Sequence, residues 1–227
     1  DYVYLNFKEH FIGKQSIVFN EALVLGDISK EFLSPEFIER RIEFLSKINH
    51  DEDINVKYDK FVNDMLTLTK VDTYHKVELY FDEDMFCQIN LLAILHYLKA
   101  NGFQGKINLH YITLEIGEGV IDDYIIKTIR IDKEELSLLS NIYLNVSKNT
   151  LDVVPSARFR AKFNVIIKGI DLYLDLINKP DKMKEHIYQV YQDNEYNKKK
   201  TIKTLLKQMV DYGLPDIFYE NILNEFN

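Results

Sequence analysis

The sequence reads as an α/β protein: a small, mostly parallel Rossmann-like sheet with helices on both faces, followed by a helical C-terminal region. Three observations carry this. Residues 77–81 (Val-Glu-Leu-Tyr-Phe) and 106–112 form strand-like runs, and the intervening stretch is long enough for the helix of a right-handed parallel crossover. Between them, Phe86, Ile89, Leu91, Leu92, Ala93, Ile94, Leu95 and Leu98 cover more than half of a helix circumference, so this helix is buried on more than one side. Beyond Gly117-Glu118-Gly119 the apolar spacing turns predominantly helical, which divides the chain into an α/β part at 1–117 and a mainly helical part at 118–227 packed on it.

Taken in order, residues 2–7 alternate as a strand and 16–19 form a second apolar run. Ser34-Pro35-Glu36 supplies an N-cap, a proline at the first helical position and a first-turn acid for a helix carrying Phe37, Ile38, Ile42, Leu45 and Ile48. Asp51-Glu52-Asp53 breaks the pattern as a solvated loop, after which Tyr58, Phe61, Val62, Met65 and Leu68 share one helical face. Asp82-Glu83-Asp84 caps the apolar helix that stops at Asn101-Gly102. Residues 124–131 read as an outlying strand, and Asp132-Lys133-Glu134-Glu135 is an aspartate form of the capping box for a helix bearing Leu136, Leu139, Tyr143 and Val146. Further helices are expected near 163–178, 183–192, 199–211 and 216–226, the last two joined by Gly213-Leu214-Pro215.

With 36 acidic and 28 basic side chains in 227 residues, the net charge is −8, which argues against nucleic acid as a general partner. Residues 179–227 hold 8 of each sign, so the whole excess lies in the preceding body. One cysteine, Cys87, permits no intrachain disulfide and no thiolate zinc cage, as expected in a reducing, cytoplasmic setting. No apolar stretch approaches a membrane helix and no leader pattern opens the chain, so no membrane association is expected. No two of the six histidines stand at metal-binding helical spacing, and Walker, G-x-G-x-x-G and G-x-S-x-G patterns are absent.

Asp82 and Asp84 lie where a parallel strand passes into a helix, the position at which open α/β sheets bind ligands. Two readings stand: carboxylates capping a helix dipole, or ligands for Mg²⁺ in phosphoryl chemistry. Asn20, Glu21 and Asp27 follow the second strand and reach the same rim if the strands are parallel, or else make turns. Arg40 and Arg41 belong to the next helix, where one of them, Arg40 in the anion-binding reading, reaches an anion or pairs with these acids, or else forms a surface ion pair of little energetic weight. Cys87 in a first helical turn is expected to be a small hydrophobe rather than a nucleophile. Arg158-Phe159-Arg160-Ala161-Lys162-Phe163 and Lys198-Lys199-Lys200 interleave or cluster cations, but the last helix carries Asp216, Glu220 and Glu225 without a cation, which opposes DNA recognition there. The tail helices are expected to pack on the body or on a second copy as a homodimer.

Residues 2–7, Phe19-Asn20-Glu21-Ala22-Leu23, Gly26-Asp27-Ile28, and Leu79-Tyr80-Phe81-Asp82-Glu83-Asp84-Met85-Phe86 with Gln88 and Leu91-Leu92 resemble the bacterial domain of unknown function numbered 1835. Tyr212-Gly213-Leu214-Pro215-Asp216 and Tyr219 are similar to the tail of longer members sometimes labelled AraC-type regulators. Two departures are visible: Tyr80-Phe81-Asp82 where members usually have a Trp-Phe-Gly/Asp-like strand end, and bulky Lys8-Glu9-His10-Phe11 where a small-residue turn is expected. The resemblance implies a bacterial cytosolic protein without an assigned activity, and adds Gln88 to the candidate ligand-binding set. The function expected from all this is a non-enzymatic ligand-binding or regulatory module for a small polar or anionic ligand. The alternatives are a metal-dependent phosphoryl-transfer or hydrolytic enzyme using the acidic strand-end loop, and, third, a DNA-binding regulator.

Overall fold

The computed structural model describes residues 12, 16–19, 21–48, 54–67, 73–116 and 121–226. The strand expected at 2–7 and the Gly117-Glu118-Gly119 turn lie outside them. Helix α1 (Pro35–Ile48) begins as its signal requires, with the Phe37 N–H donating to Ser34 Oγ at 3.2 Å. Helix α2 (Ile54–Leu66) packs against α1, burying Tyr58, Phe61 and Met65. Residues 16–19, expected as a strand, are irregular instead. Phe19 there serves as an aromatic wedge, its ring 5.4 Å from that of Phe61, 5.9 Å from that of Phe32 and 6.4 Å from that of Phe81. Packing of that ring outweighs the local β propensity of Ile17 and Val18.

Strand β1 (Lys76–Asp82) leads into α3 (Met85–Ala100), which returns through Gly102, at φ 75°, to β2 (Lys106–Ile116). β1 and β2 are parallel, as a helical crossover demands. β3 (Ile121–Ile131) then pairs antiparallel with β2, giving the order β1-β2-β3. The three-stranded sheet is therefore mixed, not mostly parallel. The reason is connection length: Ile116 and Ile121 are four residues from adjacency, enough for a hairpin but far short of a crossover.

Alternation along the strands separates two faces. Leu79, Phe81, Ile107, Leu109, Tyr111, Ile129 and Ile131 are buried on one. The other carries Glu78, Tyr80, Asn108, His110, Thr128 and Arg130, all polar and partly to fully exposed, the pattern of a sheet that faces water on one side.

Helix α3 is the axle of the molecule. Twelve of its sixteen residues are buried, so it has no solvent stripe, and it packs against β1, α4 (Lys133–Val146) and α6 (Asn164–Asn178). The capping box at Asp132 and Glu135 is complete, with bonds of 2.8 and 2.9 Å. Across the α3–α4 contact His96 Nδ1 lies 2.9 Å from Ser140 Oγ, its ring stacked on Tyr143. Gly169 of α6 permits the close α3–α6 crossing, since a Cβ there would stand 2.7 Å from Gln88 Cβ. Short α5 (Ala157–Lys162) precedes α6; α7 (Pro180–Asp193), α8 (Lys198–Gln208) and α9 (Asp216–Glu225) form a mutually packed trio beyond it. The helix expected to reach residue 211 stops at Gln208. A 3₁₀ turn at Val210–Tyr212 and Gly213 at φ 62° carry the chain back over the N-terminus of α3. Among the described residues no helix is long and apolar enough to cross a membrane.

Candidate functional site

The acidic strand end is built by two elements that leave only Glu83 and Asp84 between them. Asp84 is the N-cap of α3, its Oδ1 accepting the Cys87 N–H at 2.7 Å. Asp82 Oδ1 accepts the Glu83 N–H at 2.7 Å, and the Asp82 carbonyl accepts from Gln88 Nε2 at 2.5 Å. Gln88, fully buried, receives the Tyr111 hydroxyl on Oε1 at 3.5 Å, tying the first turn of α3 to both strands. Asp82, Asp84 and Gln88 thus form one cluster.

The C-terminal segment covers that cluster. A methyl group added to Gly213 would collide with the Asp84 carboxyl group, so the left-handed turn rests directly on the cap. Burial is the main reason the Asp84 carboxyl is pushed up to about 6; the Cys87 N–H opposes this and the Asp82 charge adds to it. Asp82 is raised too, by burial first and the Glu83 charge last, against the opposing Glu83 N–H. The Cys87 thiol is pushed far up by burial and then by Asp84, so the desolvated site and the carboxylates outweigh the helix dipole and favour the protonated thiol.

Glu21 occupies a different place. Its carboxylate forms a fully buried ion pair with Arg41, Nη2 to Oε1 2.7 Å. Arg41 also donates to the carbonyls of Ala22 (3.0 Å) and Leu25, clamping the loop to α1. From α3, Asn90 Nδ2 donates to the Glu21 carbonyl at 2.6 Å. Tyr58 lies buried beside the pair, its hydroxyl proton held by burial and by the Glu21 charge. Asn90 is two residues beyond Gln88, about 200° round the helix. Glu21 and the strand-end cluster therefore sit on opposite sides of α3.

Asp27 and Arg40 meet each other instead, at 2.6 Å on the surface, and Arg40 reaches Glu36 at 3.2 Å. Hydrogen bonds from Ser29, then Arg40, hold the Asp27 carboxyl below its usual range. Asn20 lies outside the described residues. Of the basic segments, Phe159 and Phe163 are buried ring to ring, 4.6 Å between centroids, and Lys162 pairs with Glu135 at 2.6 Å. Lys198 donates to Asn224 at 2.8 Å. Among the described residues no group of three or more His, Cys, Asp or Glu is arranged to hold a metal ion.

One constellation escaped the sequence reading. On the polar sheet face, His110 Nε2 lies 2.7 Å from Glu78 Oε2 and Nδ1 lies 2.9 Å from Thr128 Oγ1. Tyr80 stacks on the imidazole at 4.5 Å between centroids and 16° between planes. Lys76 binds the other Glu78 oxygen at 2.5 Å. Strand alternation places Glu78 and Tyr80 on one face, but only the inter-strand register puts His110 and Thr128 in the same row as Tyr80.

No family model, curated protein or solved structure matches this chain.

Proposed function

We propose that the protein is a ligand-binding or regulatory module rather than a turnover enzyme, with the Asp82–Asp84–Gln88 rim as the place where a small polar ligand acts. The observation that carries this reading is the seating of the Gly213 turn on the Asp84 cap. A ligand entering at the rim has to share Asp84 with the tail, so occupancy couples to the position of α9 and the segment before it. The rim carboxylates are also engaged with backbone N–H groups, Asp82 with Glu83 and Asp84 with Cys87, which suits a structural and sensing role better than a freely presented catalytic pair.

The test is a thermal-shift screen with nucleotides, sugar phosphates and Mg²⁺, followed by limited proteolysis of the 209–216 segment in the presence of any stabilising compound. A ligand that stabilises the native chain and changes cleavage in this segment, with both effects lost in Asp82→Asn/Asp84→Asn, is the expected result. Mg²⁺-dependent turnover of a phosphoester that is abolished by the same double substitution overturns the reading in favour of the enzyme.

A further inference from the structure

The polar row on the sheet face is explained by neither the rim nor the core. Hydroxyl, imidazole and carboxylate come from three different strands and meet in sequence: Thr128 stands opposite His110 in the β2–β3 register, and Glu78 lies one pleat back on β1. Glu78 is held below the usual carboxylate range because hydrogen bonds from Lys76, His110 and Asn108 together outweigh burial, the largest single influence, which acts the other way. An ionised carboxylate only accepts, so in the neutral ring it takes the Nε2–H and leaves the Nδ1 lone pair to accept the Thr128 O–H. The order of hydroxyl, base and orienting carboxylate is the one that activates a hydroxyl toward a carbonyl carbon.

The surroundings fit that task. Tyr80 fixes the imidazole plane by stacking, so the ring is already oriented. The His110 side chain is only 14% exposed whereas Thr128 is open to solvent, so the proton path is shielded and the oxygen is accessible. Arg130, exposed on the same face two residues along β3, stands opposite Asn108 about 7 Å further along the strand and adds positive charge to the surroundings of the row.

We propose that Glu78, His110 and Thr128 form a self-acylation site in which Thr128 accepts the acyl group of a small activated ester. Thr128 Oγ1 bonds to the acyl carbon while its proton passes to His110 Nδ1. The bond from that carbon to the leaving oxygen breaks, and the departing oxygen takes the proton from Nδ1 and leaves as an alcohol. The product is an ester on an exposed threonine, a covalent mark on the chain. None of the rim residues takes part, so this inference and the ligand-binding reading stand or fall separately.

The experiment treats the full chain with p-nitrophenyl acetate, follows p-nitrophenol release and maps the acetyl group by peptide mass spectrometry. One acetyl on Thr128 is expected. Thr128→Ser retains it, Thr128→Val removes it, Glu78→Gln slows it, and His110→Gln slows it by about a hundredfold, the scale of a lost general base. Thr128 is exposed and valine is nearly isosteric, so Thr128→Val keeps the fold and carries the test even if His110→Gln loosens the sheet. Acetylation confined to lysines, or acetylation of Thr128 at an unchanged rate in His110→Gln, overturns the proposal.

Discussion

Among the described residues, Asp84→Asn isolates the carboxyl whose proton affinity the tertiary structure changes most clearly in the physiological range. Asp84 titrates at about 6 in the folded chain against an ordinary value of 3.8, chiefly because the Gly213 turn and α3 remove it from water. The folded state therefore binds the proton more tightly than the unfolded chain. The cost to stability is absent below about pH 4, grows as pH rises towards 6, and is fully present above it. At about 1.4 kcal/mol per unit the ceiling is about 3 kcal/mol, and the partial exposure of the side chain reduces the realistic figure to about 1–2 kcal/mol. Asparagine retains an oxygen for the Cys87 N–H and is an equally good N-cap, although the loss of charge at the helix N-terminus gives back about 0.3–1 kcal/mol. Urea denaturation of wild type and Asp84→Asn at pH 4.5 and pH 7.5 reads the effect as a double difference, which cancels the pH response of every group that does not interact with Asp84. The substitution is expected to gain about 1 kcal/mol or more at pH 7.5 relative to pH 4.5. An equal effect at both pH values, or a relative loss at pH 7.5, would refute a desolvated cap.

Other consequences follow from the same contacts. Gly213→Ala imposes a side chain on a left-handed residue and drives it into Asp84; a loss of about 1–3 kcal/mol is expected by chemical denaturation, of which replacing Asp84 by Gly relieves the steric part and leaves the left-handed strain. Arg41→Met strands the buried Glu21 carboxylate and is expected to cost about 3–5 kcal/mol, whereas Arg40→Met, on the neighbouring but exposed residue, is expected to cost less than about 1 kcal/mol; a reversal in the measured midpoints would contradict the pairing. Cys87 in the native chain is expected to react with a thiol reagent at pH 8 far more slowly than in the urea-unfolded chain, and a native rate as fast as the unfolded one would show an open, ionisable thiol.

The adjacent residues Arg40 and Arg41 show where the sequence is informative and where it stops. Both are visibly part of an amphipathic helix, and its start at Ser34-Pro35-Glu36 is readable because a cap involves groups only three residues apart. A rotation of about 100° per residue then sends Arg41 into the core and Arg40 to the surface. Which of them meets Glu21 depends on a contact spanning 20 residues, and periodicity alone does not supply it. Asp82, Asp84 and Gln88 did come together, since strand end, cap and first helical turn are contiguous in the chain. Glu21 did not join them because the full girth of α3 intervenes, a separation set by how the 21–28 loop docks rather than by any local pattern.

By itself the sequence determined the helix beginnings at Ser34, Asp84 and Asp132, the parallel crossover through an all-apolar helix, the helical character of the tail and the acidic body. These depend on side chains and backbone groups within a turn or two of each other, where propensity and capping act directly. The tertiary structure alone decided that the sheet is mixed, that the tail folds over the strand end, and that Glu78, His110 and Thr128 meet on one sheet face. The physical reason is that strand register and helix docking are fixed by burial and hydrogen bonding between distant segments, such as the 32 residues that separate His110 from Glu78.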